Sequence, residues 1–272
     1  MKIQWSLHLI KLLIISLTSM ILLPWKAHAQ SISEKSVVEI DQKTLHFSGK
    51  INKDSAGIFF DLIKNPISVI VIDSVGGDSK LSTKMAQEVA KKNITVIVKN
   101  RCFSGCTYIF LAGDIKIISP GSEFGFHGSS YSIEVEQETD DRRKQLSDRD
   151  FSETELSSIV SSSIQSIKKY KKEWKFDEFK LSKLSKFDQK LFEVMGDRKY
   201  IQNIGPLKSD TTVLLWWPSE AILRKCFSVT GIIDLARSSM QEENGLIKTK
   251  YAETEMQGDN RYPNCNYTPI KH

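Results

Sequence analysis

The segment from Val69 to Gly128 constrains the fold more than any other part of this chain. It reads VIVIDSVGGD at 69–78, RCFSGCTYIFLAG at 101–113 and GSEFGFHG at 121–128. The nearly unbroken β-branched run before the double glycine is typical of a strand buried on both faces. Leu81 to Lys92 and Ser104 to Leu111 have the spacing of helices. Strands that alternate with helices predict a parallel sheet with right-handed crossovers, so we expect an α/β fold.

The first 29 residues differ in character from the rest. Lys2 and Lys11 lead into an uncharged apolar stretch from Leu12 to Trp25, and Ala27-His28-Ala29 has the small-x-small pattern of a cleavage site. This pattern predicts a secretory signal peptide that is cut after Ala29, with an uncleaved N-terminal anchor as the alternative. The segment holds three lysines and no acidic residue, so its loss lowers the formal net charge from +5 to +2. Nothing in that balance favours nucleic-acid binding.

The remaining chain is expected to form one domain over residues 30–238, followed by a polar C-terminal tail at 239–272. A charged, helical insertion is predicted at about 130–195, because the stretch from Glu134 to Lys190 contains neither glycine nor proline. Within it, Glu134 to Asp150 is predicted as a loop or exposed helix and Ser152 to Trp174 as a helix, which opens with a capping box. Residues 176–196 are predicted as a further packing segment. We interpret the charge runs as solvated faces, and the helices as a cover for the site or an oligomer interface.

A nucleophile, a base and oxyanion donors are all available between residues 76 and 127. Ser104 is predicted at the N-terminus of a helix, where free N–H groups and the positive end of the helix dipole stabilise negative charge. Gly105 can donate one such N–H group, and the Gly76-Gly77 loop can donate a second, since backbone without Cβ can approach a substrate closely. His127 is the best candidate base, because the other histidines lie in the signal segment, in an early strand or at the C-terminus.

The four cysteines all follow the signal segment. An even number in an exported chain favours disulfides. The candidates are Cys102, Cys106, Cys226 and Cys265, and the sequence does not decide their pairing. A bridge from Cys102 to Cys106 would fix the loop of Ser104. No metal site is expected, since no histidine or cysteine pair completes one, and no phosphate-binding loop or other cofactor motif is present.

These motifs resemble the Clp protease/crotonase superfamily. The resemblance lies in D-S-x-G-G-D at 73–78, C-x-S-x-C followed by T-Y-I-F-L-A-G at 102–113, and F-G-F-H at 124–127. Within the superfamily, the chain is most similar to secreted, ClpP-like serine proteases of bacterial periplasms. The resemblance is good over roughly 45–130 and faint over 195–235. It implies a spiral fold of ββα units, here carrying the helical insertion.

The resemblance also implies a Ser–His–Asp triad. Ser104 and His127 carry over directly, and Gly105 with Gly76 or Gly77 carries over as the oxyanion hole. Asp210 occupies the place of the acidic member, with Asp197 as the competing candidate. The spacing from His127 to Asp210 is longer than is typical of the family, because of the insertion. Such folds commonly form trimers or hexamers, so the resemblance makes a homo-oligomer plausible.

The sequence leaves three functions open. The first is an exported serine peptidase that cleaves peptide or protein substrates without ATP or any cofactor, since an exported chain has no ATP supply. The second is a catalytically inactive binding or assembly protein of the periplasm on the same fold. The third is a crotonase-type acyl-thioester enzyme, which uses the same oxyanion hole but would lack coenzyme A outside the cell. Contact with a membrane is expected only through the signal segment, if it stays uncleaved.

Overall fold

The computed structural model describes residues 36–147, 149, 151–196, 213–237, 240, 242–243, 246–247, 254–257 and 265. The chain divides into two compact units, Met1–Ser33 and Glu34–His272, and every described residue belongs to the second. The predicted signal peptide therefore lies outside the described residues. Over the part that is described, no helix combines the length and the apolar character needed to cross a bilayer.

The described elements alternate between strands and helices up to the insertion. The strands are β1 (Val37–Asp41), β2 (Thr44–Ser48), β3 (Val69–Ser74), β4 (Thr95–Phe103), β5 (Ile115–Ile118), β6 (Glu123–Gly125), β7 (Val213–Trp216), β8 (Ile232–Asp234), β9 (Glu242–Glu243), β10 (Leu246–Ile247) and β11 (Thr254–Gln257). The helices are α1 (Lys53–Leu62), α2 (Ser79–Ala90), α3 (Cys106–Ala112), α4 (Val135–Ser147), α5 (Glu153–Leu184), α6 (Lys190–Gly196) and α7 (Glu220–Phe227), with a 3-10 turn at Ser130–Ser132.

One sheet of mostly parallel strands carries the fold. Its order among the described strands is β1-β2-β3-β4-β5-β8, and β6 pairs with the far end of β4. The hairpin of β1 and β2 is antiparallel and the other pairs in this sheet are parallel. The predicted α/β class is therefore confirmed. The strands β3 and β4 bury alternate β-branched side chains completely, and α2 and α3 pack together beside them.

The long strand β4 pairs with different neighbours along its length. Its first half, Thr95 to Val98, pairs with β5, and its last three residues pair with β6. The chain after β6 continues into an antiparallel bridge between Phe126 and Trp216, with two backbone hydrogen bonds of 2.8 Å. The C-terminal ends of β3, β4 and β6 thus meet at one edge of the sheet, where ligands of parallel sheets commonly bind.

The insertion is helical, as predicted, but its main helix is longer than expected. The capping box of Ser152 and Glu155 opens α5, which runs without a break to Leu184 rather than ending near Trp174. Its inner face packs on α2, where the Trp174 indole N–H donates to Thr83 Oγ1 at 3.2 Å. These contacts attach the insertion to the helix that follows the Gly76-Gly77 loop.

Two disulfides lie among the described residues. Cys102 is joined to Cys106, and Cys226 on α7 is joined to Cys265. The second bridge ties the C-terminal segment to the domain, and β11 of the same segment pairs with β7. This is one of the pairings that the sequence left open, and disulfides are compatible with an extracytoplasmic location.

Candidate functional site

The D-S-x-G-G-D motif forms the turn between β3 and α2, and each of its polar residues has a structural task. The Asp73 carboxylate accepts from Arg101 Nε at 3.3 Å and from Asn100 Nδ2 at 2.8 Å, which ties the turn to β4. The buried Ser74 hydroxyl accepts from the Gly76 N–H at 3.0 Å. Asp78 is the N-cap of α2, and its side chain accepts from Leu81 N. The turn is therefore fixed at its start, middle and end.

The two glycines of this turn are required by space and by backbone conformation. Gly76 has φ +88°, and a Cβ there would lie 2.6 Å from Phe103 O and 2.8 Å from the Ser104 Cβ. Gly77 has φ +146°, and a Cβ there would lie 2.0 Å from Ile51 O. Only glycine adopts these conformations without strain and leaves this space open. The turn consequently packs directly against Ser104.

Ser104 lies between β4 and α3 in a left-handed conformation, with φ +53°. For a residue with a Cβ this costs roughly 1–2 kcal/mol, so the surrounding contacts must hold it in place. The Ser104 N–H donates to Gly125 O at 3.2 Å, and its carbonyl accepts from Thr107 N at 2.9 Å and from Thr107 Oγ1 at 2.6 Å. The side chain is half-buried rather than enclosed. A strained serine at a sharp strand-to-helix turn is the arrangement that presents a nucleophile in many hydrolases.

The Cys102–Cys106 disulfide spans this turn. Both cysteines are buried, Cys102 near the end of β4 and Cys106 at the first residue of α3. The bridge closes a loop with Ser104 at its centre. It therefore limits the conformations through which the strained turn could relax.

Two backbone N–H groups lie beside Ser104. A Cβ on Gly105 would be 3.5 Å from the Gly77 nitrogen, and a Cβ on Gly76 would be 2.7 Å from the Gly105 nitrogen, so these three glycines are in close contact. The N–H of Gly76 is already bonded to Ser74. Among the described residues, no backbone acceptor pairs with the N–H of Gly77 or of Gly105. These two groups can therefore stabilise an oxyanion that forms near Ser104.

His127 lies at the same edge of the sheet, two residues beyond β6. Phe103 is the register partner of Gly125, which places Ser104 and His127 on adjacent chain segments. The imidazole is half-exposed. The structure thus brings the two residues to the same edge of the sheet.

The two candidate acids, Asp210 and Asp197, lie outside the described residues. Among the described carboxylates, Glu178 accepts hydrogen bonds from the turn that follows His127, and the sequence did not single it out. It is fully buried on the inner face of α5. It accepts from the Tyr108 hydroxyl at 2.6 Å, from Ser130 N at 3.1 Å, and from the Ser130 hydroxyl. Glu178 thus links α3 to the turn that begins three residues after His127.

Burial controls the ionisation of this network. Desolvation raises the pKa of Glu178 from its usual 4.5 to about 7, against the opposing effect of the hydrogen bonds from Ser130 and Tyr108 and of the charge of Lys175. Burial, followed by the charge of Glu178, raises the pKa of Tyr108 well above its usual value. Glu178 therefore carries its charge at a free-energy cost near neutral pH.

No group of three or more metal-ligating side chains occurs in the described part of the chain.

No protein-family model matches this chain, and no curated protein matches it. Solved structures do match over part of its length. An enoyl-CoA hydratase from Shewanella pealeana is 8% identical with a TM-score of 0.28, over 35% of this chain and 50% of that enzyme. A ClpP1 mutant from Listeria monocytogenes is 18% identical with a TM-score of 0.30, over 43% of this chain and 77% of that chain. A mutant of the membrane-bound stomatin-specific protease 1510-N is 17% identical with a TM-score of 0.27, over 38% of this chain and 60% of the protease.

The matched part of this chain thus spans only half the length of the enoyl-CoA hydratase from Shewanella pealeana. These similar structures include both crotonase-type and ClpP-type proteins. At such identities and TM-scores, the likenesses carry no information about catalysis or substrate.

Proposed function

We propose that this chain is an exported serine peptidase of the ClpP type, which cleaves peptide bonds without ATP. The observation that supports it most is the left-handed conformation of Ser104, held at a strand-to-helix turn beside the N–H groups of Gly77 and Gly105. Left-handed backbone at a residue with a Cβ is costly, and such strain is typical of positions where a nucleophile is presented. A serine with only a packing role would gain nothing from this arrangement.

The proposed reaction is acyl transfer through a covalent intermediate. The Ser104 hydroxyl attacks a peptide carbonyl while His127 takes its proton, and the N–H groups of Gly77 and Gly105 stabilise the tetrahedral oxyanion. His127 then protonates the leaving amine, and a water molecule, deprotonated by His127, hydrolyses the acyl-enzyme. In this proposal Asp210, or else Asp197, holds the imidazole tautomer and stabilises its cation.

The substrate in this proposal is an extended peptide or protein segment. It would lie beside the Gly76-Gly77 turn and be held by main-chain hydrogen bonds, as in strand addition to a sheet edge. Main-chain recognition gives weak side-chain specificity. The chain would work as a homo-oligomer, a trimer or a hexamer, with no cofactor.

Export is part of the proposal. It is supported by the N-terminal pattern of lysines, apolar stretch and small-x-small site that ends at Ala29. The two disulfides are compatible with it, because such bonds persist in oxidising compartments.

A second function is a catalytically inactive binding or assembly protein on the same fold, and the Cys102–Cys106 bridge is compatible with it. In that case the Cys102–Cys106 bridge would serve only to stiffen a binding loop.

Turnover of a defined peptide mixture tests the peptidase proposal. The purified, oxidised chain is incubated with a digest of an unfolded protein, and new peptide ends are identified by mass spectrometry. Ser104→Ala should lower the rate by about a thousandfold or more, since triad serines contribute at least that much. Ser68→Ala, at an exposed serine before β3, is the matched control and should cleave like the wild type. Equal cleavage by wild type and Ser104→Ala would contradict the proposal.

A further inference from the structure

The outer face of α5 carries an unusual combination of side chains. At about 100° per residue, six of them fall within an arc of roughly 100° on one side of the helix. This lysine–phenylalanine face consists of Lys169, Lys172, Phe176, Phe179, Lys180 and Lys183. The opposite side of the same helix is the buried inner face, which includes Trp174, Glu178 and Leu181. The face therefore points away from the core.

Both aromatic rings of this face are open to water. Phe176 is 64% exposed and Phe179 is 42% exposed. They lie one helical turn apart, and the ammonium group of Lys183 lies 5.3 Å from the centre of the Phe179 ring. Single exposed apolar residues are ordinary, but two exposed rings on one stripe of lysines are suited to a surface that is both apolar and anionic.

A shallow cavity of about 560 Å³ adjoins this face, between α2 and α5. It is lined by four lysines, two acidic residues and one ring, namely Lys80, Lys84, Lys169, Lys172, Glu173, Asp177 and Phe176. Both acidic residues are already engaged within the protein: Glu173 pairs with Lys80, and Asp177 accepts from Gln87 Nε2 at 3.4 Å. The hydrogen bond from Lys80, followed by the charges that include Lys169 and Lys84, lowers the pKa of Glu173. The four lysines outnumber the two carboxylates, so the cavity has a net positive charge.

Charge and shape decide between the possible occupants. A second copy of the same face is unfavourable, because it would bring lysines against lysines. A protein partner would need a wider apolar surface, since stable protein interfaces bury about 800 Å² on each side. The two rings instead project from the outer side of a single helix. A lipid surface accepts such isolated rings in its interfacial region, while lysines around them attract anionic head groups.

We propose that the lysine–phenylalanine face docks the protein on an anionic phospholipid surface, with head-group phosphates in the cavity of Lys80, Lys84, Lys169 and Lys172 and with Phe176 and Phe179 inserted among the lipids. This goes beyond the proposed peptidase activity and does not depend on it. It also departs from the expectation that only the N-terminal segment contacts a membrane. Lys80 follows Gly77 by three residues, so docking would hold the candidate site close to the head groups.

Vesicle binding of the full chain tests this proposal. Co-sedimentation is measured with vesicles of phosphatidylcholine alone and with vesicles that contain about 30% phosphatidylglycerol, a fraction that gives a substantial negative surface potential. The N-terminal apolar stretch is present in every sample, so its contribution is read in the neutral vesicles. The quantity of interest is the ratio of the two partition coefficients.

The variants separate the charges from the rings. Each lysine near an anionic surface contributes roughly fivefold to partitioning, so Lys169→Gln/Lys172→Gln should lower the anionic partition coefficient about 25-fold. Phe176→Ala/Phe179→Ala should lower it on the order of tenfold. Lys50→Gln/Lys53→Gln removes the same charge from exposed positions before and within α1 and should change it little. Circular dichroism would verify that all four proteins have the same helix content.

Three results would overturn the proposal. One is equal partitioning of the wild type into neutral and anionic vesicles. Another is an equal loss in the Lys50→Gln/Lys53→Gln control, which would indicate non-specific charge attraction. The third is that the face variants bind vesicles as well as the wild type does but no longer bind poly-glutamate. That result would assign the face to an acidic polypeptide.

Discussion

Replacing the buried Glu178 by glutamine should stabilise the protein above neutral pH. Glutamine has the same shape, and its carbonyl oxygen can accept from the Tyr108 hydroxyl and from Ser130 N, while its amide can donate to Ser130 Oγ. The network of hydrogen bonds is then kept without the buried charge. Isosteric removal of a costly charge is stabilising when no polar partner is left unpaired.

The magnitude follows from the pKa of Glu178. A carboxyl whose pKa is about 7 in the folded chain and near 4.5 in the unfolded chain binds its proton more tightly when folded. Between these pH values the folded state holds more protons than the unfolded state, so the free energy of unfolding falls as pH rises from about 4.5 to 7. The full cost above pH 7 is about 3 kcal/mol, and the glutamine variant should recover most of it.

Urea unfolding at pH 5 and at pH 8 measures this effect. Glu178→Gln should exceed the wild type by about 2–3 kcal/mol at pH 8 and by much less at pH 5. Glu178→Ala should be destabilised at both pH values, because it leaves the Tyr108 hydroxyl and Ser130 N without partners. Glu173→Gln, at an exposed carboxylate of the same helix, is the control and should give no comparable gain. A glutamine variant that is less stable than the wild type at pH 8 would refute the reasoning.

Three further predictions concern the turn, the disulfides and a buried lysine. Gly76→Ala should abolish the proposed peptidase activity and lower the free energy of unfolding by roughly 2 kcal/mol or more, because its Cβ would lie 2.6 Å from Phe103 O at φ +88°. Gly57→Ala is the control: nothing lies within 4 Å of its Cβ, so it should be neutral or stabilising in the same urea titration. Cys226→Ser/Cys265→Ser should lower the free energy of unfolding by about 4 kcal/mol, because this bridge closes a long loop. Cys102→Ser/Cys106→Ser, which removes the short bridge around Ser104, should lower it by about 2 kcal/mol, and non-reducing thermal melts of the two double variants would show this order. Burial lowers the pKa of Lys116 to about 8, so between pH 8 and 10.5 the unfolded chain binds more protons than the folded chain, and the free energy of unfolding should rise with pH. In urea unfolding, Lys116→Met should be about 2 kcal/mol more stable than the wild type at pH 7 and should lose this pH dependence.

The sheet and the turns around Ser104 could be predicted from the sequence because their signals are local. The run from Ile67 to Ile72 has the composition of a buried strand, and the structure has β3 there. The paired glycines indicated close backbone approach, and the structure places both of them against neighbouring backbone. The left-handed conformation of Ser104 could not be predicted, since it depends on contacts with Gly125 and Thr107 that form only in the folded chain.

The insertion shows where local patterns fail. Trp174 and the exposed Phe176 and Phe179 lie on opposite sides of α5, so the aromatic spacing did not match one amphipathic helix and suggested two segments. The interpretation of its charge runs as solvated faces is wrong for Glu178. A buried glutamate cannot be told from its exposed neighbours by sequence, because its partners Tyr108 and Ser130 are 70 and 48 residues away in the chain.

Labelling with a fluorophosphonate tests the central claim most directly, since this reagent reacts readily with an activated serine and slowly with an ordinary one. The oxidised wild type is compared with Ser104→Ala and His127→Ala, and peptide mapping locates the adduct. The account predicts a single adduct on Ser104 that is absent from both variants. A folded, oxidised wild type that does not react, or one whose adduct persists in Ser104→Ala, would contradict the assignment of Ser104 as a nucleophile.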